Sequence, residues 1–116
     1  VDDVSNNRVK AVLDIADATG AITVLKGHGT LIAAPGSTRP AICFQGNPGM
    51  ATGGSGDVLS GVIASLWGQG LSPYDAACHG VRLHALAGDI AASKYGERSL
   101  IARDIIESLP QAFANY

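Results

Sequence analysis

The run NPGMATGGSGDVLSG, residues 47–61, decides how the chain is read. Four glycines, Gly49, Gly53, Gly54 and Gly56, fall within ten residues, and an amphipathic pattern begins directly after them. Glycine frees the backbone to take positive φ and lets amide groups approach a ligand with no Cβ in the way. Downstream, Val58, Leu59, Val62, Ile63, Leu66 and Trp67 make a broad apolar stripe at helical spacing, closed by Gly68-Gln69-Gly70. A helix start offers unpaired N–H groups and the positive end of the macrodipole. A glycine-rich approach to such a start, here Gly53-Gly54-Ser55-Gly56, is therefore suited to phosphate. Asp57 follows in the first turn, where its carboxylate would project beside an anion rather than into it. The run lacks the Gly-Lys-Ser/Thr of a Walker A loop, and Leu59 stands where a dinucleotide fingerprint wants a small residue. The plainer alternative is a tight loop whose aspartate only stabilises a helix start.

Upstream, Ser5 to Thr19 reads as a helix: Val9, Val12, Leu13 and Ala16 keep one face, Ser5 to Asn7 offer caps, and Gly20 stops it. Three short strands are expected at Ile22–Leu25, Thr30–Ala34 and Ala41–Gln45, a meander that is at least partly antiparallel. Between the first two lies Lys26-Gly27-His28-Gly29-Thr30, which supplies a cation, a hydroxyl and a flexible turn. By itself that segment equally suits a hairpin with a surface lysine. Downstream, Ser72 as N-cap, Pro73 at the first helical position and Asp75 in the first turn open another helix, with Gly80 and Gly88 near its apolar face for close packing. A last helix is expected from about Ala102 to Phe113, bent or ended by Pro110. Three consecutive helices need a sheet to cover, and these strands are too few, so the chain reads as part of a larger α/β domain.

Composition bounds the rest. The 116 residues allow one core, and 47% hydrophobic with 16% charged residues exclude disorder. A net charge of −2 gives no footprint for nucleic acid or an anionic membrane, so any anion must be held by backbone amides or a few cations. Cys43 and Cys78 stand in no metal-like spacing and read as small buried apolar residues of a reducing compartment. His79 and His84 are five residues apart, about 500° around a helix, and so on different faces rather than a ligand pair. No leader and no apolar run of about 18 residues is present, which makes a cytoplasmic location the expectation.

The central run is very similar to the signature of NAD(P)H-hydrate dehydratases, Asn-x-Gly-Met-Ala-x-Gly-Gly-x-Gly-Asp-Val-Leu, met at every fixed position by Asn47, Gly49, Met50, Ala51, Gly53, Gly54, Gly56, Asp57, Val58 and Leu59. The resemblance extends through Leu71 to Ala77 and Ser99 to Ile106, covering most of the chain from Thr23 onward. It implies an α/β fold, the C-terminal portion of a single ribokinase-like three-layer domain whose N-terminal half supplies most of the sheet. It further implies a repair reaction in which ADP or ATP phosphorylates the ring hydroxyl of hydrated NADH or NADPH, and phosphate then leaves. Asp57 would be the catalytic base and, with Asn47, touch the hydrate. Lys26, Gly27, His28, Gly29 and Thr30, with Gly53, Gly54, Ser55 and Gly56, would line the nucleotide site, and Mg²⁺ would bridge nucleotide phosphates with no metal site of the protein's own. Its rivals are a small-molecule kinase of the same superfamily and a non-catalytic nucleotide-binding fragment. The shortage of strands leads us to expect self-association or dependence on the remainder of the domain.

Overall fold

The computed structural model describes residues 2–116, with side chains from residue 7 onward. Helix α1 spans Asp2–Thr19, followed by strands β1 (Thr23–Leu25), β2 (Thr30–Ala33) and β3 (Ala41–Cys43). A 3-10 turn, Pro48–Met50, leads to helices α2 (Ser55–Gly68), α3 (Pro73–Tyr95) and α4 (Ala102–Ala114). The strands form one sheet in the order β1-β2-β3, and both pairings are antiparallel. The α/β class and the order of helix, meander and three helices agree with the sequence reading.

Strand β2 divides the fold. Side chains alternate across a strand, and Leu31 and Ala33 pack with Val12 and Ala16 of α1. Ile32, between them, packs on the opposite face with Leu59 of α2 and Ala77 and Val81 of α3. The period-2 pattern of TLIA thus fastens α1 to one side of the sheet and the α2–α3 pair to the other. The three C-terminal helices also cover one another more than the sequence suggests: Val62, Leu66, Leu83, Ala87, Ala91, Ile105 and Ala112 make a core with no strand in it.

Several boundaries differ from expectation. Helix α1 begins at Asp2, so Ser5–Asn7 lie inside it rather than capping it. Residues that favour caps are also tolerated within a helix, at a cost of a few tenths of a kcal/mol. β3 ends at Cys43 instead of Gln45, because Phe44 beyond it turns outward and is 71% exposed. α4 continues through Pro110 to Ala114. Proline removes one backbone donor, but Ile105 before it and Ala112 after it are both fully buried, and this packing carries the helix across the gap. Ser72 caps α3 as expected, its Oγ accepting from the Asp75 N–H at 3.2 Å. No helix among the described residues is long and apolar enough to cross a membrane.

Gly80 sets the distance between α2 and α3. A Cβ there would lie 2.6 Å from Ile63 Cγ1 and 3.3 Å from Ile63 Cα, closer than side chains tolerate. Alanine is the better helix former by about 1 kcal/mol, whereas overpacking costs about 1–3 kcal/mol, and here the obstruction includes backbone. We therefore expect Gly80→Ala to lower stability in urea unfolding despite its propensity advantage; a gain in midpoint would show that the helices separate freely.

Candidate functional site

The glycine run and the Lys26–Thr30 segment, separate in sequence, both line one cavity of about 610 Å³. Lys26, Gly27, His28 and Thr30 line it together with Asn47, Ser55 and Gly56. The Lys26 ammonium reaches the start of α2 so closely that a Cβ on Gly56 would sit 2.5 Å from Nζ. Glycine at this position leaves room for the cation beside the helix start, where a second positive centre arises from the backbone.

The start of α2 presents open donors. Gly54 is its N-cap in the left-handed region (φ 89°) and contributes no side-chain cap. Ser55 N–H donates to Thr52 O at 3.2 Å and Val58 N–H to Gly54 O at 3.1 Å. Gly56 and Asp57, between them, find no acceptor among the described residues. These two amides belong to the first turn, which has no intrahelical partners. Gly56 faces the cavity, whereas Asp57 is exposed and does not line it. Two residues along a helix is a turn of about 200°, so Asp57 points to the other side of the helix tip from Ser55. Gly53 and Gly54 are exposed and do not line the cavity, and Gly29 is buried, where an added Cβ would lie 3.4 Å from the Phe44 ring.

The Lys26–Thr30 segment is held from two directions. Thr30 Oγ1 donates to Gly27 O at 3.1 Å and accepts from Gly27 N–H at 3.3 Å. Arg8 of α1 donates to His28 O at 3.1 Å and to Gly29 O at 3.2 Å. Sequence reasoning missed Arg8, since a lone arginine on a polar helix face carries no local signal. Cys43 and Cys78 are half-buried rather than buried, and Cys43 lines the cavity.

His84 was also missed. It is only 8% exposed, lines the cavity from α3, and its Nε2 lies 3.0 Å from Ser55 O and 3.3 Å from Ser55 Oγ. A carbonyl only accepts, so Nε2 carries the proton and donates. Burial holds the imidazole below its ordinary value of 6.5, and the Lys26 charge adds to this, against the opposing effect of the bond to Ser55. His79, in contrast, is exposed and meets the Tyr116 hydroxyl.

A base whose folded pKa is depressed binds protons more readily when unfolded. Its contribution is complete above 6.5 and is lost as pH falls from there toward the lower folded value. Urea unfolding should therefore show stability declining as pH drops below 6.5, with a shallower decline in His84→Gln. Equal slopes in both proteins would show that His84 does not contribute to the pH dependence.

Comparison with known proteins shows the family. A family model described as NAD(P)H-hydrate dehydratase matches residues 1–111. The bifunctional NAD(P)H-hydrate repair enzyme of Escherichia coli is 43% identical over 94% of this chain and 21% of its own length. The ADP-dependent (S)-NAD(P)H-hydrate dehydratase of Neisseria meningitidis is 46% identical over 80% of this chain and 31% of its own. The crystal structure of the Bacillus subtilis ADP/ATP-dependent NAD(P)H-hydrate dehydratase, co-crystallised with ATP/Mg²⁺, superposes with a TM-score of 0.88 at 26% identity, over 97% of this chain and 40% of that one. The chain thus spans well under half the length of these relatives and corresponds to part of a ribokinase-like domain. With its signature glycines gathered at one helix start, it belongs to the NAD(P)H-hydrate dehydratase family.

Proposed function

We propose that the protein containing this chain is a nucleotide-dependent NAD(P)H-hydrate dehydratase, and that the chain supplies its nucleotide site and its base. The observation that carries this reading is the convergence of the Lys26 ammonium and the unpartnered Gly56 amide at one point of the cavity wall. A cation and a helix start together suit a terminal phosphate of ADP or ATP. The cavity's mixed wall, which includes Val81 and Ala85, suits the remainder of a nucleotide.

Asp57 is the next residue of the same helix tip, about 100° further round from Gly56, which separates the two reactants. The nucleotide lies on the Gly56 side and hydrated NADH or NADPH on the Asp57 side, with the transferring phosphoryl group at the tip between them. Asp57 takes the proton from the ring hydroxyl. That oxygen bonds to phosphorus as the bond to the nucleotide's bridging oxygen breaks, leaving AMP or ADP. Phosphate then departs with the C–O electron pair, and loss of a proton from the adjacent ring carbon restores the double bond. A carboxylate is a weak base, but it suffices where the hydroxyl proton leaves late in a loose transition state. The first-turn amides stabilise charge on the equatorial oxygens.

Mg²⁺ fits as an ion carried by the nucleotide. Among the described residues no three His, Cys, Asp or Glu side chains gather into a metal cage, and Mg²⁺ commonly keeps its waters and binds through substrate phosphates. When bound it neutralises phosphate charge. Asn47 enters this reading as a support of the substrate side rather than a direct contact, since its amide is engaged within the protein. The chain is the C-terminal portion of one domain, residues 1–116. Exposed Phe44, Ile42 and Trp67 suit coverage by the rest of that domain or by a second copy, and a cytoplasmic location suits a cofactor-repair role.

Two substitutions in the full-length protein test the division of roles. Asp57→Asn should reduce turnover by about 10²–10⁴ with nucleotide affinity retained, because it removes the base and a negative charge near the phosphates. Lys26→Ala should raise the Kd for ADP or ATP more than it lowers kcat. Near-normal turnover in Asp57→Asn, measured beside calorimetric binding, would reduce Asp57 to a helix-start residue.

A further inference from the structure

Helix α3 grips the glycine run at both ends. At the entry, Asp89 Oδ2 accepts from Gly46 N–H at 3.0 Å and Oδ1 accepts from Asn47 Nδ2 at 2.9 Å. The second Asn47 amide hydrogen goes to Gly88 O at 3.1 Å, and Asn47 Oδ1 accepts from Gly49 N–H at 3.1 Å. At the exit, His84 Nε2 donates to Ser55 O at 3.0 Å. Between these anchors, Met50 seats against Gly88, where a Cβ would overlap its sulfur, and Gly46 packs beside Ala85. His84, Ala85, Gly88 and Asp89 fall within an arc of about 140° at 100° per residue, so a single rigid helix holds both ends of the loop.

We propose that His84 and Asp89 are positioning residues for the phosphoryl-transfer site, acting through Ser55 and Asn47 to fix the Gly56 amide relative to Lys26 and Asp57. This rests on the function proposed above. The loop needs freedom at its glycines to approach a phosphate, and that freedom would blur the site unless its ends were tied. A carboxylate accepting one backbone and one side-chain N–H ties the entry with charge-assisted bonds. A mostly buried imidazole N–H on a first-turn carbonyl ties the exit while adding no charge beside Lys26.

The test uses the full-length protein with Asp89→Ala, Asn47→Ala, their double variant, His84→Ala and His84→Gln. Hydrogen exchange is followed at the amides of residues 46–57, and kcat for hydrated NADH and the Kd for ADP are measured well below each variant's melting temperature. Asp89→Ala and His84→Ala should speed exchange across residues 46–57 with α4 protection unchanged, and lower kcat at least about tenfold with a smaller change in Kd. The Asp89/Asn47 double variant should be no worse than the poorer single one, because both remove the same clasp. His84→Gln, whose amide also donates to a carbonyl, should recover most of the kcat lost in His84→Ala; it serves as the folded comparison where the alanine variant is unstable. Unchanged exchange, or faster exchange with unchanged kcat, overturns the proposal. If the unsubstituted protein repairs no hydrate, the functional reading falls, and the exchange measurements alone decide whether α3 holds the loop.

Discussion

The first-turn amides of α2 must be left without protein partners, and yet their backbone must be held in place. An anion site made of N–H groups works only while those groups are unspent, which rules out the side-chain caps that most helices use. The chain meets both demands by fixing the loop elsewhere. Asp89 and His84 bind groups of Gly46, Asn47 and Ser55, all ahead of the open amides, and Asn47 also caps the 3-10 turn between them. Ser55, not Gly56, absorbs the histidine's bond, so the anchoring and the exposed donor sit on adjacent residues.

The same constraint explains why so much of the fold serves α3. Its 23 residues run behind the loop, and α2 and α4 both pack against it in one core. Gly80 draws α2 close, and Gly88 admits Met50. Ile32 ties β2 to α2 and α3, while Leu31 and Ala33 tie it to α1, from which Arg8 reaches the carbonyls of His28 and Gly29. The Lys26 segment is thereby joined through one buried strand to the helix that faces it.

Much of this was legible from residue order. The glycine run, the apolar stripe behind it and the Ser72 cap each carry a local signal, and a local signal survives into structure when nothing tertiary opposes it. Ser5–Asn7 misled because helix continuity outweighed their local preference for caps. His84 and Asp89 carried no such signal: α3 holds other polar residues, among them Asp75, His79 and Arg82, and nothing local marks these two, whose partners lie 29 or more residues away. The orientation of Asp57 away from the cavity was equally hidden, since spacing places it in the first turn but does not say which side the nucleotide occupies.

The central claim is that this helix start moves a phosphoryl group to a hydrate rather than merely binding a nucleotide. Incubation of the full-length protein with hydrated NADH and ADP or ATP, following the absorbance of the reduced nicotinamide and the phosphate released, addresses that directly. Recovery of absorbance with one phosphate released per ring restored, and none without nucleotide, is the predicted result. A stable phosphorylated product would make the protein a kinase, and nucleotide binding with no reaction would contradict the catalytic role given to Asp57.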